Sequence, residues 1–318
     1  MPRGTTSRSG KPSHRTSAAG DPAIAGVRIS HPARVIFPDA GLTKLDLVQY
    51  YHRVSRWMLP HLEGRPLTLK QCAPDADHCR YLRHSGERAP AHVRVVQIQE
   101  KTKIGDYMIV DDEPALISLA QRNIVEFHTW NSTADRLERP NRLVLDLDPG
   151  PKVPWRLMVT AARLVRSALE SAGLESWLKT TGGKGLHVVA PILPATDWAK
   201  CLEVARSIAF SIAEHDPTHF TTRFAKAGRE SQILIDYLRN NRTNTAVAAY
   251  SVRARSNAPI SVPLDWDELS PRLDPARWTI KTIEPRLKQL ENRRDPWAGY
   301  FQSRQKVRGA KARRHIGA

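Results

Sequence analysis

Cysteine is scarce in this chain. Three occur in 318 residues, Cys72, Cys79 and Cys201, and so odd and sparse a set argues against a disulfide scaffold and for a reducing interior. Cys72, His78, Cys79 and His84 crowd one stretch, but the paired-cysteine spacing of structural zinc sites is missing. They read as scattered core or surface residues. No apolar run approaches the roughly 18 residues of a spanning helix, and no basic amphipathic anchor stands out. The stretch up to about Asp21 lacks the apolar centre of a secretory signal. Its Ser, Thr, Gly, Pro and Arg read as a disordered basic arm, a composition that an organellar transit peptide shares. Acids are the minority charge: 32 Asp plus Glu stand against 49 Lys plus Arg, a net charge of +17. That surplus points to a polyanionic partner, nucleic acid, ahead of an anionic membrane surface.

The periodicity predicts mixed structure. Thr43 and Asp46 make a capping arrangement, followed by Leu47, Tyr51, Val54 and Met58 at helical spacing up to Pro60. Strands are expected over 66–71, 93–98, 107–110 and 124–130, with a short helix over 115–121. In the second half, helices fit 155–172 and 198–214. Strands fit 176–180, 186–191, 232–237 and 245–250. With no repeat period, this gives an α/β (α+β) catalytic portion behind a β-rich N-terminal portion. The expected boundaries are a basic arm over 1–24, one domain over 25–300 with portions at about 25–140 and 141–300, and a basic tail over 301–318.

Three stretches carry chemistry. The first is Arg142-Leu143-Val144-Leu145-Asp146-Leu147-Asp148-Pro149-Gly150. Strand alternation puts the three leucines on one face and Val144, Asp146 and Asp148 on the other. Two acids so placed repel, and a strong local cation makes the arrangement favourable. Alone, the pattern also fits a strand end with two solvated acids. The second stretch is Lys179-Thr180-Thr181-Gly182-Gly183-Lys184-Gly185-Leu186-His187. Its glycines let backbone approach phosphate oxygens, while Lys184 and His187 add charge or hydrogen bonds. It is not a Walker loop, because Gly follows Lys184 and a strand follows the loop; a plain Gly-rich hairpin is the competing reading. The third is Gln232-Ile233-Leu234-Ile235-Asp236-Tyr237, an apolar strand ending on an acid. Three acids on adjacent strand ends suit two divalent ions. Downstream, Arg253 and Arg255 offer guanidinium groups for a triphosphate.

In this order the stretches resemble the archaeo-eukaryotic primase superfamily, and more closely the polymerase domain of bacterial DNA ligase D, an enzyme of non-homologous end joining. The resemblance runs over roughly 31–293 and implies a primase-like core with mixed and antiparallel sheets flanked by helices. It implies that Asp146, Asp148 and Asp236 bind two catalytic Mn2+ (or Mg2+) ions. It also implies that Lys70, Thr181, Lys184, His187 and Arg253 hold a nucleoside triphosphate. Arg34 and Lys44 match a pocket for the 5′-phosphate at a break, and Tyr81 keeps the one aromatic of a template-stacking segment at 80–84. Thr181 stands where the family usually has Ser, Arg34 where Lys is common, and Arg80 where a ring is expected.

The implied activity is template-directed gap filling and end extension, with a preference for ribonucleotides. The implied partners are DNA ends or a gapped duplex, Ku and a separately encoded ATP-dependent ligase. The expected location is the cytoplasm, at the nucleoid. No Lys-x-Asp-Gly ligase nucleophile motif occurs, so a stand-alone polymerase is expected. A non-catalytic end binder and a metal-dependent nuclease are the alternatives. The acids speak against the first, and the Gly-rich loop with Arg253 favours a triphosphate over the second.

Overall fold

The computed structural model describes residues 21–72, 78–85, 89–292 and 295–307; most of the N-terminal arm and of the basic tail lies outside the described residues. A six-stranded sheet runs Phe220–Thr221, Ile233–Asp236, Arg142–Pro149, Leu186–Pro191, Trp177–Thr180, Pro263–Leu264. Every pairing is antiparallel except that of the first two strands. The helices Trp155–Ser171 and Trp198–His215 bury stripes at helical spacing, Met158, Ala162, Val165 and Leu169 in one and Cys201, Val204, Ile208 and Ile212 in the other. Asp197 starts the second helix by accepting from the Lys200 amide at 2.8 Å.

Strand alternation sorts the faces as the sequence predicts. Leu143, Leu145 and Leu147 join the helices in the main core. Val144 points the other way, into a separate cluster with Trp177, Val189, Ala246, Trp297 and Tyr300. The acids therefore lie on the face opposite the helices.

A second, antiparallel sheet runs Ala246–Val247, Ile124–Thr129, Leu67–Cys72, Cys79–Leu82. Beside it the helix Lys44–Leu62 starts on the expected Thr43–Asp46 capping box and packs on the helix Glu113–Gln121. Buried tyrosines tie the portions together. Tyr50 donates to the Tyr250 carbonyl at 2.7 Å, and Tyr51 donates to Val125 at 2.5 Å while accepting from the Val252 amide.

Several expectations need correction. Cys72 and Cys79 form a disulfide, because they face each other in the antiparallel register of their hairpin, which brings Cβ atoms within bridging reach. Counting cysteines missed that facing. The bond commits both of these sulfurs to each other, and His84 pairs with Glu100. The strand expected over 245–250 shrinks to Ala246–Val247, since Tyr250 turns the chain at φ 63°. Ala23–Ile24 pairs with Val27–Arg28, so the ordered body begins before residue 25. At the other end Gln305 is held by Glu175, Pro191 and the Leu193 amide, so the tail starts docked rather than solvated. The helix Glu284–Asn292 had no reading in the sequence.

Before Asp146, over 142–145, the central strand has no partner strand on its Ile233–Asp236 side among the described residues. Asn240 takes that place: its amide accepts from Val144 N–H at 2.8 Å and donates to Val144 O at 2.7 Å, fully buried. Asn240→Ala leaves both groups without partners and is expected to cost about 2–4 kcal/mol, measured by urea unfolding. A loss under about 0.5 kcal/mol, the size of an ordinary surface change, would show that the strand does not depend on this side chain.

Candidate active site

One line of register builds the site. Lys179 faces His187, His187 faces Asp146, and Asp146 faces Asp236 across four neighbouring strands. Directly opposed residues point to the same face, so an ammonium, an imidazole and two carboxylates stand in a row. Asp148 follows Asp146 by two residues and shares its face. Gly150 ends the strand where no side chain fits, since a Cβ there would lie 2.2 Å from the Arg229 carbonyl oxygen.

Arginines supply the charge that the acids need. Arg239 reaches back one short turn from Asp236 and lies between the carboxylates: Nη2 is 3.0 Å from Asp146 Oδ2, and Nε is 3.1 Å from Asp236 Oδ2. Arg229 holds Asp148 at 3.1 Å. Burial alone would raise the Asp146 pKa, but the His187 contact and the Arg239 guanidinium outweigh it and hold the carboxyl well below the usual range. Burial, with Lys179 alongside, pushes His187 down to about 3. The ring is then neutral at ordinary pH, so its Nε2, 3.4 Å from Asp146 Oδ1, supports the acid as a dipole and Arg239 carries the charge. Burial raises the Asp236 pKa; Arg239 opposes this, while Asp146 and Asp148 add to it. Among the described residues no three His, Cys, Asp or Glu side chains converge as a ready metal-ligand set.

The Gly-rich loop adjoins this row. Thr181 closes it by donating from both backbone and hydroxyl to Gly185 O, at 3.1 and 3.2 Å. Gly182 sits at φ 68°, where glycine is at ease, and Lys184 is exposed at the tip. Arg253 lies across the loop. Its Nη1 donates to Thr181 O at 2.5 Å, and its Nε donates to Glu126 at 2.9 Å. Lys70 faces Glu126 on one side and Tyr81 on the other, its Nζ 3.4 Å from the carboxylate and 5.6 Å from the ring centroid. Tyr81 is 60% exposed and meets His128 edge-on. Of the residues singled out in the sequence, Thr181 and Lys184 lie on the loop of the six-stranded sheet that also carries His187 and the acids, Lys70 and Tyr81 lie on the four-stranded sheet, and Arg253 bridges the two through Thr181 and Glu126.

Arg34 and Lys44 are also neighbours, the Lys44 amide donating to Arg34 O at 2.7 Å. Their side chains differ from the expected pair of open cations. Lys44 is buried, its Nζ donating to Ser30 O at 2.6 Å, and burial together with Arg34 lowers its pKa. Arg34 is the more open of the two.

Sequence reasoning missed Arg229, Arg239, Glu126 and His128. Arg239 left a signal, three residues after Asp236; Glu126 and His128 share a face of an expected strand. Arg229 sits in an irregular loop and left none.

A family model described as the primase-polymerase domain of LigD matches residues 43–297. The chain belongs to this family. It is 36% identical over 307 residues to the multifunctional non-homologous end joining protein LigD of Pseudomonas aeruginosa, which covers 95% of this chain and 36% of that protein. It is 29% identical over 247 residues to the protein of the same name in Mycolicibacterium smegmatis, covering 77% and 32%. The chain spans about a third of the length of these relatives. Its structure is similar to that of the polymerase domain of Mycobacterium tuberculosis ligase D in complex with DNA, with a TM-score of 0.77 and 26% identity over 83% of this chain and 94% of that one. The mixed α/β fold with antiparallel sheets is that of the family, and a primase-polymerase domain is an enzyme of the nucleotidyltransferase type.

Arg239 as counter-charge has a signed consequence. With the guanidinium present, the depressed Asp146 pKa adds stability that is full above the unfolded value of about 3.9 and is lost as pH falls from there through the lower folded one. With it removed, the already raised Asp236 carboxyl goes up further and Asp146 loses part of what holds it down. The folded state then holds the Asp236 proton more tightly still, so the stability lost grows as pH rises. In chelator, Arg239→Met is expected to cost about 1–3 kcal/mol near about pH 7, the figure trimmed because the side chain is partly exposed. The cost near about pH 4 should be clearly smaller. Urea unfolding at both pH values decides; equal losses would rule out the counter-charge role.

Proposed function

We propose that this chain is a template-directed nucleotidyltransferase that fills gaps and extends ends at DNA double-strand breaks in bacterial non-homologous end joining, with a preference for ribonucleotides. The observation that carries this reading is the facing of Asp146 and Asp236 beside a Gly-rich loop that Arg253 spans. Such a juxtaposition seats a triphosphate next to acids, which is what nucleotidyl transfer requires. The similarity to a polymerase domain solved with DNA supports the same class.

Asp146, Asp148 and Asp236 are hard oxygen donors suited to Mn2+ or Mg2+, and their demand for positive charge is visible in the arginines that now meet it. Two such ions held there would supply Lewis-acid stabilisation of the attacking and leaving oxygens, with Arg239 giving up its place between the acids. Lys70, Thr181, Lys184 and Arg253 orient the phosphates. His187 keeps Asp146 in its rotamer. It reaches a phosphate only through a ring nitrogen that Asp146 does not hold, and the buried Nδ1 has no partner among the described residues. Tyr81, exposed beside Lys70, offers a face for a template base to stack on. Arg34 takes the 5′-phosphate at the far side of the gap, and Lys44 braces the loop that carries it. The reaction joins the primer 3′-hydroxyl oxygen to the α-phosphorus and releases pyrophosphate.

A gapped duplex with a 5′-phosphate is the DNA partner in this reading. Ku and an ATP-dependent ligase activity are the protein partners in this reading, and the nucleoid is the place of work.

A primer-extension assay on gapped duplex, with Mn2+ and labelled ribo- or deoxyribonucleotides, tests the proposal. Asp146→Ala and Asp148→Ala are expected to lower incorporation by about 10²–10³-fold or more while retention of the duplex is kept. Removing the 5′-phosphate should weaken extension. Retention without extension by the unaltered protein would mark an end binder, and shortened strands a nuclease.

A further inference from the structure

Glu126 is an acid to which neither the fold nor the reaction above assigns a task. It sits on the strand Ile124–Thr129 and is 1% exposed. A carboxylate so buried is costly unless it is paired and hydrogen-bonded, and this one has four partners. Oε2 accepts from Arg253 Nε at 2.9 Å and lies 2.7 Å from His128 Nε2, while Oε1 accepts from the Ala254 amide at 2.9 Å and lies 3.4 Å from Lys70 Nζ. Three of the partners are basic side chains from separate stretches of sequence, and two of them, Lys70 and Arg253, are residues to which the proposed function gives the triphosphate.

The geometry at Arg253 distinguishes a task from mere pairing. Glu126 takes Nε, Thr181 O takes Nη1, and Nη2 has no protein partner among the described residues. Contacts at two of the three nitrogens fix the plane of the guanidinium, and the third is left to donate elsewhere. The second contact of Glu126, to the Ala254 amide, fixes the backbone from which Arg253 projects. Lys70 is held alike: its ammonium has one carboxylate neighbour and retains donors for another acceptor. Without the acid, Lys70 and Arg253 would face each other as like charges.

We infer that Glu126 is a positioning residue for nucleotide binding: it sets the two cations that grip the triphosphate of the incoming nucleotide, and it touches no reacting atom itself. This rests on the nucleotidyltransferase reading above. It separates Glu126 from Asp146, Asp148 and Asp236, whose loss acts on the chemical step.

Steady-state primer extension on gapped duplex with ATP as the varied nucleotide tests it. Glu126→Gln keeps the size of the side chain and removes its charge. The expected result is a rise of about tenfold or more in KM for ATP, the effect of roughly 1.4 kcal/mol, with kcat changed less than about threefold. Duplex binding by fluorescence anisotropy should be unchanged. In an Arg253→Ala background the same change should add less than about threefold, because residues acting through one another are not additive. A purely structural acid would lower active fraction, and so kcat, with KM intact and with additive effects. Glu126→Asp keeps the charge on a shorter arm that cannot span Arg253 and Ala254 together, and a KM rise is expected there too; it serves if the Gln variant melts early. An unchanged KM in a folded variant, or full additivity with Arg253→Ala, overturns the inference while leaving the parent reading intact. Absence of any extension by the unaltered protein overturns the parent reading and this inference with it.

Discussion

Asp146 and Asp236 are direct neighbours across an antiparallel pair, where Cβ atoms lie about 4.5–5.5 Å apart. Two ionised carboxylates at such a distance repel by on the order of 3 kcal/mol at an effective dielectric near 20. Much of the surrounding structure answers that cost. The Arg239 side chain returns from a single turn of 3-10 helix to sit between them. Asn240, on the same turn, stitches the central strand where its neighbour ends. Arg229 meets Asp148 from a separate loop. The repulsion is kept in the fold and relieved by cations drawn from two separate segments.

The register explains what could be read from the sequence and what could not. Asp-x-Asp on an apolar strand, the strand-ending Asp236 and the Gly-rich turn are local patterns, and each lies on the element expected for it. Alternation alone sorted Leu143, Leu145 and Leu147 from Val144 and the acids, and the two clusters of the core follow that split. Facing is not local. Nothing near Cys72 announces that Cys79 returns opposite it, and the count of cysteines pointed away from the bond. Nothing near Lys44 announces that its ammonium turns inward to the Ser30 carbonyl. Glu126 drew no reading, because its partners Lys70 and Arg253 lie far from it in sequence.

Arg253 ties the two sheets together. One edge of its guanidinium is held by Thr181 in the loop of the six-stranded sheet and the other by Glu126 in the four-stranded sheet. A side chain held from both sheets takes its position from both, and a slip of one sheet against the other would strain one of its two bonds. The buried tyrosine bonds from the helix Lys44–Leu62 to Val125, Tyr250 and Val252 join the same parts of the chain.

The net charge of +17 needs a finer reading than a basic surface. Lys44, Arg65, Arg142 and Lys179 are buried, and each is satisfied by neutral oxygens: backbone carbonyls, Asn and Gln amides, or hydroxyls. These cations are structural and present no charge to a polyanion, although composition counts them with the rest. What argues for a phosphate-bearing partner is where the remaining cations stand. Arg229, Arg239, Lys70 and Arg253 converge on four acids, Asp146, Asp148, Asp236 and Glu126, from different parts of the chain. A fold selected for solubility would scatter such charges over its surface. Gathering them beside the Gly-rich loop sets charged groups of both signs where the proposed triphosphate would sit.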